Sequence, residues 1–401
     1  MSGLPVTTAD VIVVGAGVQG SATAFHLARR GLRVAVLDRA YPGAGATGRS
    51  SGFVRMHYDL AVESELAWRA FPTFEHWAEI VGEGDCGFSR IGFLQLVPHH
   101  QVASLRANVA AQQAVGIDTR VVTAADVADL VPGMVADDVE AGAWEPRSGY
   151  ADPTGTAAGL LAAARRLGTS YAGGVAVQRI LVDGGRVTGV ATDRGEIHAP
   201  VVVNAAGAIA GKVAATAGIN VPIKPWRHDT GYFGLPSARP GGPGRPIPVV
   251  LDNITTVYFR SEGRDLLLVG LEVGNDIGGD PDRPMETYDP EIVPQLAEKV
   301  CGRLPWMVDG DFRTAHPGQD GMSPDQRAIL GPVGAEGPDG LYLQCGFSGS
   351  GFKTAPAVGE AMAEWILDGA PALAGLARFD LGRFARGDLL VGEHPYESLW
   401  R

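Results

Sequence analysis

The chain has 401 residues, of which 45% are hydrophobic, so it is long enough to bury a large core in one composite domain or in two. Its formal net charge is −12 and neither sign forms a long run, which argues against nucleic acid or an anionic membrane surface as a partner. The cysteines Cys86, Cys301 and Cys345 are widely spaced and predict neither a disulfide framework nor a metal site. No signal peptide or membrane-spanning run is visible, so we expect a cytoplasmic protein without a membrane span.

The first informative element covers residues 11–38. An apolar strand leads into a turn with three glycines and an apolar helix, and a second strand ends at Asp38. This is the pattern of a dinucleotide-binding βαβ unit, in which the acid accepts hydrogen bonds from an adenosine ribose. Gly15 permits the tight turn, Gly17 lets the backbone approach a pyrophosphate at the helix N-terminus, and Gly20 lets helix and strand pack closely. The motif alone leaves NAD and FAD open.

The following segments alternate between helices and strands. A glycine- and serine-rich loop over residues 43–52 runs directly into Arg55. Apolar periodicity and helix-start signals predict helices over 60–80, 99–115, 126–130 and 153–167. Strands are predicted over 91–97, 176–182, 187–193 and 201–204, with a hairpin turn after the second of them.

The second half of the chain begins with strands and turns over residues 224–272. A helix over 290–304 and a loop over 316–325 follow, and a last long helix ends at residue 367. Before that helix, a strand over 341–344 leads into the glycine-rich run 346–353. Its glycines let the backbone press against a flat ring or an anion, and a helix start stabilises negative charge. Taken alone, the run is equally consistent with a plain strand-to-helix loop.

Phosphate-binding elements near both ends of the chain imply that one nucleotide-binding domain is assembled from separated segments. We predict that this domain comprises residues 1–85, 150–220 and 322–401. The remaining segments, 86–149 and 221–321, are predicted to form a substrate-binding domain with a sheet that faces the first domain.

The order of the motifs resembles that of the D-amino-acid oxidase/sarcosine oxidase superfamily of FAD enzymes, and the resemblance spans nearly the whole chain. The matching segments are GAGVQG (15–20), TGRSSGFVR (47–55), VVNAAG (202–207), SPDQRAILGP (323–332) and GFSGSGFK (346–353). The pattern is most similar to that of sarcosine oxidases and N-methyl amino acid dehydrogenases. The resemblance implies an α/β fold: an FAD-binding Rossmann-like domain of the glutathione-reductase type with a discontinuous α+β substrate domain built on a mixed or antiparallel sheet. The resemblance also implies that the flavin lies between these two domains.

Carried over position by position, the resemblance assigns the cofactor contacts. The residues expected to contact FAD are Gly15, Gly17, Val18, Gln19, Gly20, Asp38, Arg39, Thr47, Gly48, Arg49, Ser50, Ser51, Val175, Ala206, Gly207, Gly346, Phe347, Ser348, Gly349, Gly351, Phe352 and Lys353. The cysteine that tethers the flavin in monomeric sarcosine oxidases would fall at about Gly318. The histidine that dimethylglycine-dehydrogenase-like members use in the early loop is also missing from residues 48–51. We therefore predict non-covalent FAD.

The resemblance also names the groups that bind substrate. Lys353 matches the lysine that binds the substrate carboxylate in sarcosine oxidases, and Arg55 follows the flavin loop, where those enzymes place an arginine for the same group. A cationic pair fixes the carboxylate and orients an α C–H or N–CH₃ bond toward flavin N5. This implies oxidation of a secondary amine or N-alkyl amino acid by hydride transfer to the flavin, giving an imine that water hydrolyses. Weaker candidates for the same site are His57, Tyr58, His228, Tyr258 and His316.

The sequence does not decide whether the electron acceptor is O₂ or a protein or quinone. Sarcosine oxidases place a lysine over the flavin that speeds reaction with O₂, and the matching strand, 266–270, has none. This favours a dehydrogenase that passes electrons to a protein or quinone acceptor over an efficient oxidase, without deciding between them. The chain could also be the flavin subunit of a multi-subunit electron-transfer complex, or could form oligomers.

Two other activities compete with amine oxidation. An FAD enzyme that oxidises a 2-hydroxy acid would use the same carboxylate-binding pair and take His57 or His316 as its base. An NAD(P)-linked dehydrogenase would need only the first βαβ unit, and the second glycine-rich run argues against it. The sequence does not name the substrate.

Overall fold

A computed structural model describes residues 4–272, 277–283 and 286–398. The α-helices are α1 (Val18–Arg29), α2 (Ala61–Glu75), α3 (Trp77–Ile80), α4 (Val102–Ala114), α5 (Ala124–Leu130), α6 (Pro153–Arg166), α7 (Ala210–Ala215), α8 (Ile292–Arg303), α9 (Gly351–Asp368) and α10 (Arg383–Arg386). The strands are β1 (Val11–Val14), β2 (Val34–Asp38), β3 (Phe53–Val54), β4 (Phe93–Leu96), β5 (Arg120–Val122), β6 (Gly142–Glu145), β7 (Gly149–Tyr150), β8 (Ser170–Gly173), β9 (Val177–Asp183), β10 (Arg186–Thr192), β11 (Gly195–His198), β12 (Val201–Asn204), β13 (Lys224–Arg227), β14 (Thr230–Gly234), β15 (Val249–Asp252), β16 (Val257–Glu262), β17 (Leu266–Leu271), β18 (Asp311–His316), β19 (Gln319–Met322), β20 (Ile329–Pro332) and β21 (Leu341–Cys345).

The first large sheet has six strands in the order β20-β21-β12-β1-β2-β8. Strands β21 to β8 run parallel, and β20 pairs antiparallel with β21 at one edge. On one face of β1, Val11 and Val13 pack in the cluster formed with α1, α6 and α9. On the other face, Ile12 and Val14 pack in the cluster that includes the β9–β11 sheet. Because both faces are covered, β1 is apolar at every position, as is typical of a central parallel strand.

The second large sheet has eight strands in the order β18-β14-β17-β16-β15-β4-β6-β5. Its pairs are antiparallel except β15 with β4, so the sheet is mixed, as the resemblance implies. Alternating residues of β16 and β17 face opposite sides. Phe259 and Val269 pack with α8 in one cluster, whereas Tyr258 and Leu268 pack with Phe53 in another. The second of these faces is turned toward the cavity described below.

Both large sheets take their strands from separated stretches of chain. The six-stranded sheet uses strands between residues 11 and 38, between 170 and 204, and between 329 and 345. The eight-stranded sheet uses strands between 93 and 145 and between 230 and 316. The predicted domain boundaries themselves stay a prediction, and their outermost residues, 1–3 and 399–401, lie outside the described residues.

One predicted element is wrong. Residues 316–325 were expected to be a loop because Pro317, Gly318 and Gly321 give that segment the composition of one. The segment instead contains β19, which pairs antiparallel with β13 in a separate two-stranded sheet. This pairing places Asp320 directly opposite Trp226. Among the described residues, no helix is long and apolar enough to cross a bilayer.

Candidate active site

A cavity of about 720 Å³ lies between the carboxyl ends of β1 and β2 and the inner face of the eight-stranded sheet. In open α/β sheets this edge is where ligands bind. The lining draws on the first glycine turn, the early loop, the ends of β2 and β12, and the late glycine run. The predicted cofactor residues that line it are Gly15, Gly17, Val18, Gln19, Asp38, Arg39, Thr47, Arg49, Ser50, Ser51, Val175, Ala206, Gly207, Phe347, Ser348, Gly349, Gly351, Phe352 and Lys353.

The turn between β1 and α1 is shaped by close backbone packing. Gly15 has φ +107°, and a Cβ there would lie 2.5 Å from the carbonyl oxygen of Ala205. A Cβ at Gly17 would lie 3.1 Å from the Thr47 hydroxyl, which accepts a hydrogen bond from the Val18 amide at 3.0 Å. Helix α1 has no acidic residue in its first turn, so its positive end faces the cavity without a charged group of the helix itself. The turn therefore suits a bound pyrophosphate.

Three predicted cofactor residues, Gly20, Gly48 and Gly346, are absent from the described residues that line the cavity. A Cβ at Gly20 would lie 2.0 Å from the Gly15 carbonyl, and one at Gly48 would lie 2.6 Å from the Gly43 carbonyl. Gly346 has φ +68° and packs against Ile223. Gly20 and Gly48 let backbone segments approach each other, and Gly346 adopts a positive φ, so these glycines shape the loops around the cavity.

The far end of the cavity is lined by Asp38 and Arg39 together with a basic residue that the sequence analysis missed, Lys212. Each carboxylate oxygen of Asp38 accepts one backbone hydrogen bond, from Ala16 at 2.8 Å and from Ala40 at 2.7 Å. Each oxygen retains capacity for a second donor such as a ribose hydroxyl. Arg39 and Lys212 both form ion pairs with Asp282, so their charges are balanced by the protein itself.

The late glycine run closes the opposite end. Helix α9 begins at Gly351, so Lys353 lies inside the helix and not in the preceding loop. The first turn of α9 contains no acidic residue. The loop holds Ser348 at φ +52° and Gly349 at φ +90°. Asp320, which the sequence analysis did not select, lines the cavity and accepts a hydrogen bond from the Gly349 amide at 2.7 Å. Burial raises the pKa of Asp320 above its usual value.

Arg55 and Lys353 both line this end of the cavity, where their cationic groups lie over the same ring, that of Tyr58. Both side chains are buried, at 5% and 6% exposure. The Arg55 guanidinium donates to the His57 carbonyl and lies 4.3 Å from the centre of the Tyr58 ring. Lys353 Nζ donates to the Gly349 carbonyl at 3.0 Å. Burial, followed by repulsion from Arg55, lowers the pKa of Lys353 well below its usual value.

Tyr258 and His228 line the wall formed by the eight-stranded sheet. The Tyr258 hydroxyl lies 2.6 Å from His228 Nε2 and 3.0 Å from the hydroxyl of Ser51. Burial raises the pKa of Tyr258 and lowers that of His228 to about 3. Both side chains are therefore neutral at physiological pH, and they present a polar patch without net charge.

The other two predicted site residues do not reach the cavity lining. His57 is fully buried behind Arg55, with Nδ1 2.9 Å from Gln112 and Nε2 2.7 Å from the Tyr396 hydroxyl. Burial lowers its pKa to about 3. His316 lies at the end of β18, where its Nε2 is 3.2 Å from the Tyr232 hydroxyl. His57 was selected because it follows Arg55, and His316 because it precedes Pro317. Neither neighbour in the sequence shows whether a side chain lines the cavity.

Two further cavity residues, Glu63 and Arg327, were not selected from the sequence. Arg327 forms buried ion pairs with Glu63 and, at 2.6 Å, with Asp59. Burial raises the pKa of Glu63. Arg327 belongs to the motif at 323–332, but the sequence does not show that the fold brings its side chain to Glu63 of α2. Two buried cavity residues, Tyr58 and Trp226, have a hydroxyl and an indole N–H without hydrogen-bond partners among the described residues.

The parallel sheet, its glycine turn and a cavity shared with a second sheet define a dinucleotide-binding oxidoreductase. The chain belongs to the DAO family of FAD-dependent oxidoreductases, because the family model described as "FAD dependent oxidoreductase" matches residues 10–365. Its cofactor is therefore FAD. The residues present fit this cofactor: the Gly15–Gly17 turn admits a pyrophosphate at the start of α1, and α9 begins at the same cavity.

Known relatives include enzymes of amine metabolism. The chain is 30% identical over 392 residues to mitochondrial sarcosine dehydrogenase of Mus musculus, covering 94% of this chain but 42% of that protein. It is 27% identical over 389 residues to 4-methylaminobutanoate oxidase (formaldehyde-forming) of Paenarthrobacter nicotinovorans, covering 94% and 46%. The chain thus spans less than half the length of these relatives. The structure of L-proline dehydrogenase from P. horikoshii superposes with a TM-score of 0.86 at 26% identity, covering 96% of this chain and 99% of that one.

Proposed function

We propose that this chain oxidises the C–N bond of a secondary amine or N-alkyl amino acid that carries a carboxylate, giving an imine that water hydrolyses. The observation that carries the proposal is the buried pair of Arg55 and Lys353 at the inner end of the FAD cavity. When bound, FAD supplies the hydride acceptor. The protein has to bind the substrate, orient the bond that breaks and keep bulk water away from it.

Arg55 and Lys353 are suited to bind the carboxylate. Two cationic groups in a desolvated site form charge-assisted hydrogen bonds that are stronger than neutral ones. Lys353 enters the complex with a lowered pKa, and a carboxylate beside it favours the protonated form. Binding of the carboxylate is therefore coupled to retention of a proton on Lys353 Nζ.

The sheet wall orients the rest of the substrate. Phe53, Trp226, Leu251 and Tyr258 belong to one buried cluster, and all of them line the cavity. An apolar wall beside a fixed carboxylate restricts the substrate to few orientations and excludes water from the reacting carbon. Hydride transfer from a neutral amine needs no strong general base, which agrees with a cavity wall where burial lowers the pKa of His228 to about 3 and leaves it a weak base.

The competing 2-hydroxy acid activity needs a base for the hydroxyl proton. The candidates named from the sequence, His57 and His316, are not among the described residues that line the cavity, and both ring nitrogens of His57 contact other side chains. The names of the relatives, sarcosine dehydrogenase, 4-methylaminobutanoate oxidase and L-proline dehydrogenase, also favour an amine. We therefore rank amine oxidation first.

The test is anaerobic bleaching of the flavin in the FAD-loaded protein. The panel contains N-methyl amino acids, proline, 4-methylaminobutanoate, their carboxamides, and 2-hydroxy acids of similar size. We expect one or more amine carboxylates to bleach the flavin. The matching carboxamide should bleach it at least tenfold less efficiently, which corresponds to about 1.4 kcal/mol or more. Bleaching by a 2-hydroxy acid alone would establish the competing activity. Equal bleaching by acid and carboxamide would remove the proposed role of Arg55 and Lys353.

A further inference from the structure

The last described segment of the chain runs along the loop that carries Arg55. Glu393 accepts a hydrogen bond from the Ala61 amide at 2.7 Å, and the His394 carbonyl accepts one from the Asn108 side chain at 2.9 Å. Gly392 lies so close to Asp59 that a Cβ would approach its carboxyl carbon to 2.6 Å. Residues 390–398, here called the C-terminal tail, therefore pack on the side of residues 55–61 that faces away from the cavity.

Tyr396 connects this tail to His57. Its hydroxyl lies 2.7 Å from His57 Nε2, and the two rings stack with centres 5.8 Å apart and planes 14° apart. The other ring nitrogen, Nδ1, lies 2.9 Å from Gln112 Oε1, and the Gln112 amide donates to the Tyr58 carbonyl at 3.0 Å. Tyr396 and His57 are 2% and 0% exposed, so water does not compete for these bonds.

The donor and acceptor roles in this series of hydrogen bonds follow from its last acceptor, the Tyr58 carbonyl. The Tyr58 carbonyl can only accept, so the Gln112 NH₂ group donates to it and the Gln112 oxygen is left to accept. His57 must then carry its proton on Nδ1 and donate it to Gln112. The remaining ring nitrogen, Nε2, is an acceptor, and it takes the hydroxyl proton of Tyr396. The low pKa of His57, about 3, agrees with this neutral form.

His57 in turn contacts Arg55, because its backbone carbonyl accepts a hydrogen bond from the Arg55 guanidinium. The ring of His57 is held at both nitrogens, so its backbone has little freedom to move. We propose that Tyr396 is a positioning residue: through His57, the C-terminal tail holds the Arg55 guanidinium at the carboxylate end of the cavity. The inference rests on the proposed function, in which Arg55 binds the substrate carboxylate.

The test uses the FAD-loaded full chain with Tyr396→Phe, which removes one oxygen and keeps the ring. Tyr41→Phe is the matched control, since Tyr41 is 63% exposed. Propionate, an amine-free carboxylate, is titrated against the visible spectrum of the flavin. We expect Tyr396→Phe to weaken propionate binding by about fivefold, as for the loss of one net hydrogen bond, and Tyr41→Phe to change nothing.

A second measurement separates positioning from general loosening. For the best amine substrate and its carboxamide, we expect Tyr396→Phe to raise KM for the acid severalfold, leaving KM for the carboxamide and the limiting rate of flavin bleaching near wild type. Unchanged propionate binding, or equal changes for acid and carboxamide, would overturn the inference. If Tyr396→Phe does not fold, Gln112→Met interrupts the same chain at its other end and carries the same expectation.

Lys353→Met distinguishes this inference from the proposed function. Propionate binding that is insensitive to Lys353→Met contradicts the proposed function itself. Propionate binding that is sensitive to Lys353→Met and insensitive to Tyr396→Phe contradicts only the positioning role of the tail.

Discussion

Lys353 and Arg55 hold their cationic groups against one aromatic ring, that of Tyr58, at 5.9 Å and 4.3 Å from its centre. Two cations in a buried site are costly unless anions accompany them. Glu63 and Asp320 raise the pKa of Lys353, but burial and Arg55 outweigh them. A carboxylate ligand would add negative charge beside both cationic groups and would favour the protonated form of Lys353. This charge balance leads to the first two predictions.

Replacement of Lys353 by Met should weaken the binding of carboxylate ligands selectively. A hydrogen bond to a charged group contributes about 1.5–3 kcal/mol, so we expect KM for the amine carboxylate to rise by roughly 10- to 100-fold. KM for the carboxamide should change by less than about threefold, which corresponds to well under 1 kcal/mol. Lys299→Met, on the outer helix α8, is the matched control. The role of Lys353 is contradicted if both substrates are affected alike.

Carboxylate binding should also depend on pH in a defined direction. Lys353 has a lowered pKa in the free protein, and a bound carboxylate raises it, so the complex retains a proton that the free protein loses as pH rises. Propionate should therefore bind more tightly as pH falls toward the lowered pKa of Lys353, and its Kd should increase with pH. Spectral titrations between pH 6 and 9, a range of about three units around neutrality, measure this slope.

A second group contributes to that slope with the same sign. Burial raises the pKa of Glu145 to about 7, and its ionisation adds negative charge near Arg55. Lys353→Met should thus reduce the slope, and Lys353→Met combined with Glu145→Gln should reduce it further. A Kd that falls as pH rises would contradict both assignments.

Local patterns predicted the nucleotide-binding part of the fold well. The βαβ unit depends on short-range spacing of glycines and apolar residues, and β1, α1 and β2 lie within a residue or two of the predicted bounds. The strand β19 could not be predicted in the same way, because its partner β13 lies far away in the chain. Short strands such as β5 and β8 are likewise specified by their neighbours in the sheet and not by their own sequence.

In the candidate site, too, local motifs predicted some residues, and contacts between distant segments determine others. Motif position was enough to expect Arg55 and Lys353 beside the cavity, since both follow glycine-rich loops of the cofactor-binding fold, and both line it; their role toward substrate stays a prediction. His57 could not be distinguished from a cavity residue, because in an extended segment it would face the same side as Arg55, whereas β3 ends at Val54 and the next residues beyond it that line the cavity are Arg55 and Tyr58. Asp320 and Arg327 reach the cavity only through pairing and ion pairs with distant segments.

The FAD should be released when the protein is denatured. The resemblance places the tethering cysteine of monomeric sarcosine oxidases at about Gly318, which lines the cavity. A Cβ at this residue would lie 2.8 Å from the His228 carbonyl oxygen, so even a small side chain would require the backbone to shift. We expect acid precipitation to leave a colourless pellet and a yellow supernatant. Yellow colour that stays on the protein would contradict non-covalent binding.

Reoxidation by O₂ should be slow. The strand that would carry an oxygen-activating lysine is β17, and its residue Leu268 packs with Phe53 and Tyr258 at the cavity wall. A fixed charge or donor where negative charge develops commonly changes a rate by about 10²–10³, so a wall without a cation there should slow the first electron transfer to O₂. In stopped-flow experiments on the reduced protein, we expect an artificial acceptor such as phenazine methosulfate to restore the flavin spectrum far faster than air-saturated buffer does. Reoxidation in air that keeps pace with turnover would show instead that this chain is an oxidase.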